Sequence, residues 1–161
     1  MPRESKSNPL YLVIAGVTAI IVQAFFVPLI EIGVWRPDVI VLLVIYISYR
    51  YGVLPGVFSG FMLGVFQDAL SPLPLGVSSL ANSIIAFMAG QISQFKLAPN
   101  ARILASVLLI LFHGCIFYFF YQLRTDVTYV YLLLTRVFPN TVYTFLIGLL
   151  FSSFMKSPME S

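Results

Sequence analysis

The chain has 161 residues, 60% of them hydrophobic and only 9% charged, with a mean hydropathy of +0.97. Soluble domains carry about 25% charged residues, so this composition excludes a soluble enzyme or binding module and reads as an integral membrane protein. The net charge of +3 comes from nine Lys and Arg dispersed at helix ends rather than clustered, which removes the nucleic-acid reading.

Hydropathy and turn signals divide the chain into six spans of one all-α membrane domain covering 1–161, at about 9–30, 37–50, 53–70, 75–95, 103–123 and 137–155. Met1 to Asn8 is a polar tail, and the apolar run from Leu10 is expected to be an uncleaved first helix rather than a signal peptide. Gln23 and Pro28 fall in its outer half. Trp35 sits where an interfacial aromatic belongs. Pro37 suits a first helical position, with Asp38 at the positive end of the helix dipole. The second span is short, which calls for tilting, local thinning or burial among neighbours.

Tyr51-Gly52 turns the chain into a third helix with glycines at 52, 56, 60 and 64, and Asp68 next in that row. Positions four apart lie on one slanted ridge of an α-helix, so this ridge admits another backbone closely and ends in a carboxylate. Ser71-Pro72-Leu73-Pro74 stops the helix, because two prolines cannot continue the hydrogen-bond ladder. The fourth helix carries Asn82, Ala86 and Gly90, again four apart. Residues 96–102 read as a connection containing Pro99, and the fifth helix holds the only histidine, His113. Tyr129 to Val137 reads as an interfacial amphipathic piece before the last span, or as the start of one longer helix kinked at Pro139.

Six spans place Arg3, Lys6, Arg50, Lys96, Arg102 and Lys156 on the side of the termini, and Arg36, Arg124 and Arg136 on the other. That bias puts both termini in the cytoplasm and the Asp68 end of the glycine helix outside.

Gly56, Gly60 and Gly64 serve either packing within the bundle or docking of a partner's membrane helix. Asp68 is expected either to pair with Arg36 or to accept backbone N–H groups of the turn Pro72, Pro74, Gly76; Arg36, Asp38 and Asp68 thus form an external polar cluster. A proton relay would need more intramembrane titratable groups than the chain holds. His113 has no second His or Cys at ligand spacing and reads as a packing residue, and the lone Cys115 cannot close an internal disulfide. Ser59, in GVFSG, is not in a nucleophile elbow and has only His113 as a base. The chain therefore reads as non-enzymatic, with no cofactor. The aromatic run Phe117 to Tyr121 is expected to face lipid or a partner.

Arg36-Pro37-Asp38 opening an apolar helix, Gly60-Phe61-x-x-Gly64-x-x-x-Asp68, and Ser71-Pro72-Leu73-Pro74-Leu75-Gly76 resemble the rod shape-determining protein MreD family. Length, six spans and Arg136-Val-Phe-Pro139 before the last helix agree. The resemblance implies a subunit of the bacterial cell-elongation machinery in the cytoplasmic membrane. It implies MreC as direct partner, and MreB and RodA with a class B penicillin-binding protein as indirect ones, in lateral peptidoglycan synthesis. It also implies a fold similar to the substrate-binding membrane subunits of energy-coupling-factor transporters. The alternative reading is a small-solute-binding subunit of a transporter, with lipid or solute in an external pocket.

Overall fold

The computed structural model describes residues 9–71, 75–95 and 97–154. Its regular structure is helical throughout: α1 Pro9–Ile21, α2 Val39–Tyr51, α3 Val53–Ala69, α4 Val77–Ile92, α5 Pro99–Gln122, α6 Tyr129–Leu132 and α7 Phe138–Phe154. One isolated β-bridge, Ile32 to Trp35, closes the turn at Gly33 between α1 and α2.

Several boundaries differ from the sequence reading, each for a local reason. Helix α2 begins at Val39, not Pro37, because Asp38 takes the N-cap and its carboxylate accepts the Val41 N–H at 3.1 Å. Helix α5 begins four residues early, with Pro99 inside its first turn, where a missing N–H costs nothing. Residues 129–154 follow one helical course, the second of the two readings open for that stretch, rather than a separate interfacial piece and a span.

Two prolines shape the long helices in the same way. Pro28 and Pro139 lack the N–H that would reach back four residues, and each ring crowds that carbonyl. Ahead of each the helix widens into a π turn, Val22–Phe26 after α1 and Leu133–Val137 between α6 and α7. In both, the closing N–H bonds five residues back: Val27 to Val22 and Phe138 to Leu133.

Leu10–Leu29, Pro99–Gln122 and Tyr129–Leu150 are long and apolar enough to cross a membrane; Val39–Tyr51, Val53–Ala69 and Val77–Ile92 are shorter apolar helices. The short helices are the buried ones. Val41, Ile45, Ile85, Ala89, Leu109 and Ile110 form one core cluster, and Ile40, Val44, Leu63 and Ala86 form another. Lipid is as apolar as leucine, so close packing rather than water exclusion must hold these helices together.

The glycine ridge supplies that packing. A Cβ at Gly60 would stand 2.9 Å from the Asn82 carbonyl oxygen and 3.3 Å from Ala86 Cβ, and one at Gly64 would overlap the Ser79 backbone. Near the other end, a Cβ at Gly90 would meet Val53 Cα at 2.7 Å. Helices α3 and α4 thus run antiparallel with their backbones in contact, the glycines of each facing the other. Gly56 faces Ser48 of α2 instead. Gly52 and Gly76 serve the turns: with φ of +88° and +107°, they redirect the chain between α2 and α3 and into α4.

Candidate functional site

The end of α1 with the turns that follow it (Val22–Leu29), the start of α2, the end of α3, the start of α4, the later part of α5, and the π turn Leu133–Val137 with the start of α7 gather at one end of the bundle. There they line a half-open cavity of about 580 Å³. Successive long helices therefore alternate in direction, and the start of α1 and the end of α7 lie at the opposite end.

Asp68, only 1% exposed, stands where this end closes. Its Oδ1 accepts the Ser78 N–H at 2.8 Å; its Oδ2 accepts the Gly76 N–H at 2.8 Å and both the N–H and the hydroxyl of Ser79 at 3.2 Å. These are first-turn amides of α4, which have no partner within the helix, and a carboxylate also suits the positive end of the helix dipole. Helix α4 is capped from α3. Of the two expected partners, the turn amides are found and Arg36 is not: the Arg36 guanidinium pairs with Glu31 at 2.8 Å. Gly76 is in the capped turn, while Pro72 and Pro74 lie outside the described residues.

The segment Trp35 to Asp38 crosses this end without regular structure, and side chains from distant helices satisfy its backbone. Arg36 N–H donates to Asn140 Oδ1 at 3.0 Å, and Asp38 N–H donates to Thr144 Oγ1 at 2.9 Å. Val39 N–H donates to Gln23 Oε1 at 2.9 Å, while Gln23 Nε2 reaches the Pro37 carbonyl at 3.4 Å. The Trp35 indole donates to the Thr135 carbonyl at 3.0 Å, the oxygen left without its helical partner by Pro139.

Asp38 also accepts from Gln67 Nε2 at 3.1 Å, and Gln67 Oε1 accepts from Asn82 Nδ2 at 3.3 Å, a polar chain joining α2, α3 and α4. Asp38 and Asp68 therefore hold the same end of α3 through different contacts. Asn140 Nδ2 donates to the Tyr118 hydroxyl at 3.0 Å, and the Arg136 guanidinium lies beside that hydroxyl.

Phe117, Tyr118 and Tyr121 line the cavity, so part of the aromatic run expected to face lipid or a partner turns inward; Phe119 is exposed. His113, 5% exposed, lines it too, stacks on Phe117 with ring centroids 6.3 Å apart, and has no hydrogen-bond partner at Nε2 among the described residues. Ser59 donates to the Pro55 and Gly56 carbonyls, the bonding of a helical serine. Among the described residues no group of three His, Cys, Asp or Glu could hold a metal.

Sequence reasoning missed Gln67, Asn140 and Thr144, and noted Gln23 without a role. Each is a polar side chain near a helix end within an apolar run, which is a usable signal, but their convergence needs the packed bundle.

These features define a class: an all-helical membrane protein with a largely apolar cavity at one end that carries a few polar side chains, and no evident catalytic pair among its described residues. The chain belongs to the family of the rod shape-determining protein MreD, whose model matches residues 6–160. No curated protein and no solved structure matches it.

Proposed function

We propose that this protein is a non-enzymatic, multi-pass subunit of the bacterial cell-elongation machinery in the cytoplasmic membrane. It binds MreC directly and acts with MreB, and with RodA and its class B penicillin-binding protein, to direct lateral peptidoglycan synthesis and rod shape. The family match over nearly the whole chain carries this reading. Six crossings, both termini in the cytoplasm and an arrangement like that of the transporter substrate-binding subunits go with it.

Gly56, Gly60 and Gly64 face α2 and α4 within the chain, so the surface left for the MreC helix is the lipid-facing side of the bundle. The test is co-purification of MreC from membranes, with cell shape followed as the protein is depleted. Recovery of MreC and rounding of the cells are expected. Absence of MreC from the purified protein, with rods persisting after depletion, overturns the reading.

The second reading, a solute-binding subunit of a transporter, is favoured by the cavity. It requires a retained solute and a docked coupling module in place of MreC.

A further inference from the structure

Arg136 has no counter-charge among the described residues. It lies half-buried in the cavity wall beside the Tyr118 hydroxyl, and no described carboxylate is in ion-pair contact with it. The other charges on the wall are engaged: Arg36 by Glu31, and Asp38 by the Val41 N–H and the Gln67 amide. A guanidinium within a membrane-spanning run is costly without a partner, and such residues mark binding sites or pathways. Its planar fork of donors matches phosphate oxygens.

A second unsatisfied group stands in the same wall, since His113 is 5% exposed and its Nε2 has no partner among the described residues. Phe117 and Tyr121 add an aromatic wall. The volume of about 580 Å³ is in the range of ligand pockets and far exceeds a bare phosphate. The cavity runs from Tyr121, near the end of α5, to Ile110, about three helical turns deeper.

We propose that this cavity binds a phosphate-bearing ligand, with its phosphate on Arg136 and Tyr118 and its body against Phe117 and Tyr121. A lipid headgroup and a free phosphorylated solute share that chemistry.

Binding is measured on the full chain in detergent, using phosphatidylglycerol with diacylglycerol as the phosphate-free control, and separately inorganic phosphate. Retained lipid is counted by native mass spectrometry and affinity is read from thermal shift. Phosphatidylglycerol alone binding identifies a lipid headgroup, and inorganic phosphate binding or displacing it identifies a free anion; either result supports the site. Arg136→Gln is expected to weaken binding about tenfold and Tyr118→Phe by less, while Arg124→Gln, on the same end but outside the cavity, leaves it unchanged. If Arg136→Gln fails to fold, Tyr118→Phe decides. Wild-type affinity in a folded Tyr118→Phe protein, equal losses in Arg124→Gln and Arg136→Gln, or no binding of either probe to the wild type overturns the proposal.

Discussion

Replacing Asp68 by Asn keeps the size of the side chain but removes its charge and one of its acceptor oxygens. The Gly76 and Ser79 N–H groups, both held by Oδ2, would face an amide NH₂ or lose their acceptor. A buried donor left unpaired costs about 1–3 kcal/mol, so Asp68→Asn is expected to destabilise the fold by about 2–3 kcal/mol. Unfolding in mixed micelles of SDS and a mild detergent reads this directly, and wild-type stability would show that Asp68 is not the cap of α4. The glycines offer a sharper comparison. Gly64→Ala drives a methyl into the Ser79 backbone and is expected to cost about 1–3 kcal/mol. At Gly16 the same methyl meets only the far end of Leu63, at 3.3 Å, so Gly16→Ala should stay close to wild type. Equal effects of the two changes would mean that α3 and α4 are not in backbone contact.

At the scale of elements, the π turn ahead of Pro139 ties two distant segments together. With alanine at 139, an N–H becomes available for the Thr135 carbonyl, which then competes with the Trp35 indole for that oxygen. Trp35 is the only tryptophan in the chain, so its fluorescence reports the exchange without labelling. Pro139→Ala is expected to change the emission spectrum and increase quenching by acrylamide, as the 30–38 connection loosens. An unchanged spectrum and unchanged quenching would place the indole contact outside the proline's influence. Six helices were legible from hydropathy, but the π turns were not. Both prolines stood in plain view at 28 and 139, yet whether a helix breaks, kinks or widens at proline depends on what else can take the freed carbonyl.

For the molecule as a whole, the alternation of helix directions places the start of α1 and the end of α7 opposite the cavity. Combined with the Lys and Arg bias, this leads to the expectation that the 123–128 connection lies outside the cell and the 93–98 connection inside. With Cys115 replaced by Ser, Asp126→Cys is expected to react with a membrane-impermeant maleimide in intact cells. Gln94→Cys should react only after permeabilisation. The reverse pattern would invert the topology and place the cavity on the cytoplasmic side, away from the periplasmic face where peptidoglycan is built.

Composition alone determined that this chain belongs in a membrane, because so few charges cannot keep so much apolar surface in water. Four-residue spacing of Gly56, Gly60 and Gly64 determined that some backbone would come close, since that spacing lines up on any α-helix. It left open which backbone, and tertiary packing chose Ser48, Asn82 and Ser79. Asp68 was recognisable as a carboxylate needing partners, but amides of the turn and the guanidinium of Arg36 were both open to it by sequence. Only the packed bundle brought the α4 amides within hydrogen-bond distance and sent Arg36 to Glu31. The cavity was the least legible feature. Its walls join Arg36 to Asn140 and Asp38 to Thr144 across more than a hundred residues of sequence, and no periodicity within one helix encodes the meeting of the ends of six.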